Sequence, residues 1–166
     1  AWDSGRNPVQ RITKPHMDLL LLGVSHHTAP VDLRERVDFS RRGVVEALRE
    51  LAIRPAPPEA VVVTTCNRAE IYVACEDTST TRSDLGLFMS RFHNVPESEL
   101  TPHLYAHTGA DVARHLFRVA AGLDSLIVGE PQIFGQVKSA FATASSERCT
   151  GSLLNKLFMS SFAVGK

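Results

Sequence analysis

Cys66 stands in the run Thr65-Cys66-Asn67-Arg68, between two apolar stretches, Val61-Val62-Val63 and Ile71-Tyr72-Val73. The thiolate is the reactive form of cysteine, and a nearby cation favours it. A thiol placed where a buried strand surfaces, two residues before an arginine, can serve as a nucleophile. The same residue also fits a small buried hydrophobe with no chemistry; partners elsewhere in the chain decide. His115 is a partner of the right type, since an imidazole can act as general base or acid near neutral pH. It sits one residue off the centre of an apolar helical stripe, which equally suits a surface position. Arg68 can grip a carboxylate through two parallel N–H bonds or form a structural ion pair. Ser125, Glu130, Gln132 and Gln136 surround a loop and a helix start, where they can bind a polar ligand or simply cap the helix. His26 and His27 follow the first apolar run. With Cys66 they could begin a metal site, but adjacent strand residues point to opposite faces, and no ligand set of known spacing accompanies them.

Periodicity supplies the elements that must position these residues. The short run Leu19–Ser25 reads as a buried strand leaving into the polar turn His26–Pro30. Ser40 can cap a helix with Phe39 and Val44 as its hydrophobic staple; Val44, Leu48 and Leu51 form its apolar face, and Arg54–Pro58 stops it. Strands at Glu59–Thr65 and Glu70–Glu76 follow, close enough to form an antiparallel hairpin. Thr78–Asp84 reads as a turn. Leu85, Phe88, Met89 and Phe92 mark a second helix to about His93, Asn94–Pro102 a loop, and His103–His107 a fourth strand. The order strand, helix, strand, strand, helix, strand predicts an α+β, ferredoxin-like βαββαβ unit: a four-stranded antiparallel sheet with both helices on one face. Additional helices come after it. One buries Val112, Leu116, Val119 and Leu123. The next has Pro131 in its first turn, buries Ile133, Phe134, Val137 and Phe141, and ends by Gly151. A last helix, capped by Ser152, is still running at Lys166 and reads as the start of a long connecting helix cut short.

Composition narrows the classes. The chain has 166 residues, with 18 Lys and Arg against 18 Asp and Glu. Balanced charge excludes a general polyanion binder, so any nucleic-acid contact must come from a local patch. No apolar run is long enough for a transmembrane helix. The three cysteines, Cys66, Cys75 and Cys149, are odd in number and lack metal-knuckle spacing, which fits a reducing cytosol; Cys75 reads as core. Residues 1–16 are polar and aperiodic and read as an expression scar or a disordered arm. Gly129–Gly135 is not a GxGxxG dinucleotide fingerprint.

Several segments together resemble the glutamyl-tRNA reductase family. They are Gly23-Val24-Ser25-His26-His27-Thr28-Ala29-Pro30, Arg34-Glu35-Arg36-Val37, Thr65-Cys66-Asn67-Arg68 with Glu70-Ile71-Tyr72, His115 through Ser125, and Gly129-Glu130-Pro131-Gln132-Ile133 with Gly135-Gln136-Val137-Lys138. The resemblance spans about residues 17–166 and covers the family's N-terminal catalytic domain (17–150) plus the start of its linker helix (151–166). It implies a cytoplasmic enzyme, or a plastid-stroma one in a plant, that reduces glutamyl-tRNA with NADPH to glutamate-1-semialdehyde in tetrapyrrole biosynthesis. By match to its motifs, Cys66 would capture the glutamyl group as a thioester. Thr65, Asn67 and Arg68 would line the glutamate pocket, with Arg68 on the side-chain carboxylate. Ser125, Glu130, Pro131, Gln132 and Gln136 would bind substrate, and His115 would transfer a proton or orient the ester. The implied partners are the tRNA, a second copy of the chain and the downstream aminomutase. The NADPH and dimerisation domains are missing from the match, so the chain alone is expected to carry only the thioester-forming half. A module that binds tRNA or a partner without turnover is the alternative.

Overall fold

Residues 16–53, 57–129 and 131–164 are described by the computed structural model. The N-terminal arm lies outside them up to Pro15, as do Arg54, Pro55 and Ala56 of the predicted helix stop. In chain order the elements are β1 (Asp18–Ser25), α1 (Val31–Arg36), a 3-10 turn (Phe39–Arg41), α2 (Val44–Ile53), β2 (Glu59–Thr65), β3 (Arg68–Cys75), α3 (Thr78–His93), α4 (Glu97–Leu100), a second 3-10 turn (Thr101–His103), β4 (Tyr105–Thr108), α5 (Ala110–Ala120), α6 (Pro131–Ser146) and α7 (Ser152–Val164). The strands lie in the order β2-β3-β1-β4, and every neighbouring pair is antiparallel. That is the expected βαββαβ topology.

The sheet is buried on both faces, and alternation along the strands sorts the residues. Leu20, Leu22 and Val24 of β1 share a face with Ala69, Ile71 and Val73 of β3, on the side of α2 and α3. Leu21, Gly23 and Ser25 share the other face with Tyr72, Glu70 and Arg68. There Tyr72 meets the Phe158 ring of α7 edge-on at 5.4 Å. The helices after β4 thus form a third layer, which is why all eight residues of β3 are buried.

Several boundaries differ from the sequence expectations, each for a local reason. β3 begins at Arg68 rather than Glu70, because Arg68 pairs with Thr65 on one side and Ser25 on the other; Cys66 and Asn67 alone form the turn. The helix α1 was not expected; Leu33 anchors its single apolar face, and its basic last turn suits the helix dipole. Asp38, not Ser40, is the cap. Its carboxylate accepts from Ser40 N at 2.9 Å and from the Thr64 hydroxyl at 3.0 Å, and α2 starts only after Gly43, whose φ is +109°. Thr78–Asp84 is the opening of α3, capped by Asp77 through Ser79 N and Thr80 N. Within Asn94–Pro102, Pro96 starts the short α4, and the turn over Thr101–His103 delays β4 to Tyr105. Leu123 is not on the buried stripe: α5 stops at Ala120, and Leu123 is exposed. α6 ends at Ser146, before Arg148 turns the chain at φ +60°.

Gly151 serves α7 instead of ending α6. The buried Glu59 at the start of β2 accepts the backbone N–H groups of Gly151 (2.7 Å), Leu153 (3.3 Å) and Leu154 (2.8 Å). This cap comes from a strand and replaces the expected one from Ser152. Its carboxylate also faces the positive end of the helix dipole. Glu59→Ala should lower stability by about 2 kcal/mol in urea denaturation, while Glu59→Gln should recover part of it; a loss within error of zero would remove this cap from the account.

His93 generates a pH dependence. Its ring packs edge-on against Phe39 at 4.5 Å, and burial pushes its pKa from the ordinary 6.5 down to about 4. The unfolded chain therefore takes up a proton below about pH 6.5 that the folded chain refuses until about pH 4. Stability should fall across that window as pH drops, by at most about 1.4 kcal/mol per pH unit from this group. His93→Leu should flatten that segment of the urea midpoint profile; an unaltered slope would assign it to other groups.

Candidate active site

The site grows from two opposite charges two residues apart on a strand. Arg68 and Glu70 in β3 project to the same face, and both are buried, Arg68 at 3% exposure and Glu70 at 0%. Arg68 Nη1 donates to Glu70 Oε2 at 3.2 Å. Glu70 then accepts from the Tyr72 hydroxyl at 3.0 Å, from the Tyr105 hydroxyl of β4, and from His115 Nε2 of α5 at 2.5 Å. One carboxylate thereby joins β3, β4 and α5. Gly23 makes this possible. It lies opposite Glu70 in the β1 register, and a Cβ there would stand 2.6 Å from the Ala69 carbonyl oxygen and 2.8 Å from Glu70 Cγ.

Burial alone would raise the Glu70 carboxyl, but the hydrogen bond from His115 and the charge of Arg68 outweigh it and hold the group below the ordinary carboxylate value. An ionised Glu70 can only accept, so His115 Nε2 is the donor in their bond. Burial opposes the charge of Arg68 too; Glu70 and Asp124 reverse the effect and raise it. The Tyr105 hydroxyl is pushed up, first by burial and then by Glu70. The His107 ring lies 5.0 Å from that of His115, and burial and then His115 lower its pKa.

The exits of β1, β2 and α5 meet beside this network. Asn67 closes the hairpin, its N–H donating to the Thr65 hydroxyl at 3.1 Å and its carbonyl accepting from His26 N at 2.9 Å. Cys66 is exposed at the tip, whereas Cys75 is buried and Cys149 half-buried. The loop after α5 supplies Asp124. Its Oδ2 and backbone oxygen accept from Arg68 Nη2 at 2.8 and 3.0 Å, and its Oδ1 lies 3.3 Å from His27 Nε2. Burial would raise the Asp124 carboxyl; the bond from Arg68 wins and lowers it.

Sequence-predicted residues thus fall into two groups. Thr65, Cys66, Asn67 and Arg68 gather at the hairpin end of the sheet, with His115 attached through Glu70; the half-buried Ser125 follows Asp124 in the loop that reaches Arg68. Gln132 and Gln136 of α6 line a groove of about 550 Å³ with Val44, Val62, Thr64 and Ser139. Pro131 is exposed at the start of α6, and Glu130 lies outside the described residues. No hydrogen bond or ion pair among the described residues joins Pro131, Gln132 or Gln136 to Cys66 or Arg68. The groove approaches the hairpin at Thr64, next to Thr65. Glu70, Asp124, Tyr105 and Gly23 were not singled out as site residues; a paired Arg and Glu at i and i+2 within an otherwise apolar strand was the available signal. Among the described residues no three His, Cys, Asp or Glu side chains gather as a metal site. The rings of His26 and His27 lie 4.0 Å apart, and burial, His27 and Arg68 lower the pKa of His26.

The arrangement combines an exposed thiol, a buried guanidinium and a carboxylate-oriented imidazole. The family described as "Glutamyl-tRNAGlu reductase, N-terminal domain" matches residues 22–166. The chain is 46% identical over 150 residues to the glutamyl-tRNA reductase of Syntrophotalea carbinolica, covering 90% of this chain and 34% of that protein. It is 45% identical over 150 residues to the one from Aromatoleum aromaticum, covering 90% and 35%. The solved structure of glutamyl-tRNA reductase from Methanopyrus kandleri superposes with a TM-score of 0.73 at 29% identity, covering 89% of this chain and 33% of that one. The chain therefore spans about a third of the length of the relatives it matches.

Removing the charge at the centre tests the network. Glu70→Gln leaves Arg68 with Asp124 alone and should destabilise the fold by about 3 kcal/mol. Since Glu70 is depressed in the folded state, its contribution is present above the ordinary carboxylate range and is lost as pH falls through its lowered value. The variant should therefore lose part of the acid limb of the stability profile; an acid limb equal to wild type would assign that limb to other carboxylates.

Proposed function

The chain belongs to the glutamyl-tRNA reductase family through that family's N-terminal domain, and on that premise we propose that it captures the glutamyl group of glutamyl-tRNA as a thioester on Cys66. The observation that carries the reading is the exposure of Cys66, alone of the three cysteines, on a two-residue turn clamped between buried strands. In the proposed step, Cys66 Sγ attacks the ester carbonyl. A C–S bond forms, the ester C–O bond breaks, and the terminal ribose hydroxyl of the tRNA leaves with the proton. Thr65 and Asn67 frame the turn, and Arg68 receives the substrate's side-chain carboxylate. Ser125, Glu130, Pro131, Gln132 and Gln136 are the further substrate contacts.

His115 is assigned by its bonding. Glu70 holds its Nε2 proton, as a carboxylate orients the imidazole in many acyl-transfer sites. Glu70 lies on β3 beyond the turn that bears Cys66, and among the described residues no hydrogen bond joins its network to the thiol, so His115 acts on the bound ester. The full reaction of the family would go on to reduce the thioester with NADPH to glutamate-1-semialdehyde, for tetrapyrrole synthesis. That step is assigned to no residue here: Gly129–Gly135 departs from the dinucleotide fingerprint, and it follows a loop after α5 rather than a strand. The tRNA, the homodimer, the aminomutase partner and a cytoplasmic location belong to the same family-based reading. No helix among the described residues is long and apolar enough to cross a membrane.

Incubation with glutamyl-tRNA labelled in the glutamyl group should leave label on Cys66 that hydroxylamine releases. Cys66→Ser should abolish the adduct and slow deacylation at least tenfold. Deacylation equal to wild type would remove Cys66 as nucleophile. Bound tRNA without an adduct on the wild-type chain would mean a binding module without turnover.

A further inference from the structure

Both terminal nitrogens of Arg68 are occupied among the described residues. Its side chain is 2% exposed; Nη1 is turned inward to Glu70, and Nη2 is held by the carboxylate and carbonyl of Asp124. Glu70 lies on a central strand and is tied by three further side chains. Of the two terminal nitrogens, Nη2 is the one that a ligand carboxylate can take, at the place where Asp124 now sits. Asp124 lies in the loop 122–129, whose neck is a single backbone bond, Gly129 N to Gly122 O at 3.0 Å, between glycines at φ +82° and +75°. Past Asp124 the loop has little packing to hold it: Leu126, Ile127 and Val128 are 62%, 72% and 71% exposed. Asp124 also has a second partner, His27, at 3.3 Å on its other oxygen, which can retain it when Arg68 lets go.

The geometry points to Asp124 as a specificity-determining residue: its carboxylate is a resident stand-in for the substrate carboxylate on Arg68 and must be displaced for binding. This rests on the proposed role of Arg68 and deepens it. A group with the charge of a carboxylate can replace Asp124 on Arg68 Nη2, whereas an uncharged one leaves Glu70 as the charged partner of a buried guanidinium. A carboxamide is uncharged, so the exchange rejects a glutaminyl group in favour of a glutamyl one. The apparent affinity is reduced by the fraction of time Arg68 is free.

The probe is free L-glutamate, with L-glutamine as control, protecting Cys66 from iodoacetamide in the whole chain. Asp124→Asn should tighten protection by glutamate about fivefold, the gain expected if Asp124 holds Arg68 about four-fifths of the time. Protection by glutamine should not change, and Asp124→Glu should stay near wild type. An Asp124→Asn constant for glutamate equal to or weaker than wild type overturns the inference. A second measurement needs no variant that could misfold. In the wild-type chain, carbon-13 titration of the Asp124 carboxyl should show its pKa rising toward the ordinary value when glutamate saturates the site, as Arg68 is lost. An unmoved titration overturns the inference independently. The Cys66 adduct from glutamyl-tRNA, scored on the same preparations, separates the two levels. An adduct without any gain in Asp124→Asn rejects the stand-in role alone; no adduct on wild type rejects the function from which it was derived.

Discussion

One ionised carboxylate, buried without solvent access, sets the terms for the hairpin end of this domain. Glu70 is costly to desolvate, and the cost is met only because Arg68, Tyr72, Tyr105 and His115 all aim donors at it. Each donor comes with its own constraint on the backbone. Arg68 and Tyr72 require β3 to stay in register. Tyr105 requires β4 to lie on the far side of β1, and His115 requires α5 to cross that face. Such a cluster contributes little net stability over apolar packing, but it admits few alternatives. It fixes where the Cys66 hairpin sits relative to the helix that carries the imidazole.

The sheet and its order were legible because its signals are local. Short apolar runs, a proline-rich stop and an i, i+3, i+4, i+7 stripe in α3 each report on their own neighbourhood. Where the reading slipped, the deciding group was distant in sequence. Thr78–Asp84 looks like a turn until Asp77 is seen to cap it. Ser152 looks like the cap of α7, yet Glu59, more than ninety residues earlier, does that work. Leu123 continues a helical stripe on paper, but Gly122 at φ +75° ends the helix before it.

Candidate residues were legible, and the wiring around them was not. Cys66, Arg68 and His115 stand out as candidates by residue type and motif. Their relation does not, since Glu70 and Asp124 act through contacts across the sheet and from a loop 56 residues beyond Arg68. Nor does periodicity show that Gln132 and Gln136 face a groove along the edge strand β2 rather than the hairpin itself.

β2 has a mechanical character that neither of its ends shows alone. At one end Glu59 grips the first turn of α7; at the other Thr65 leads into the turn that bears Cys66. Seven residues of extended chain, roughly 23 Å, separate the two, locked to β3 along their whole length. Close-packed interiors transmit displacement with little loss. A tilt of α7 therefore cannot be absorbed locally. It is a push on a stiff rod whose far tip leads into the Cys66 turn, and the direction in which α7 points becomes a coordinate of the thiol's position.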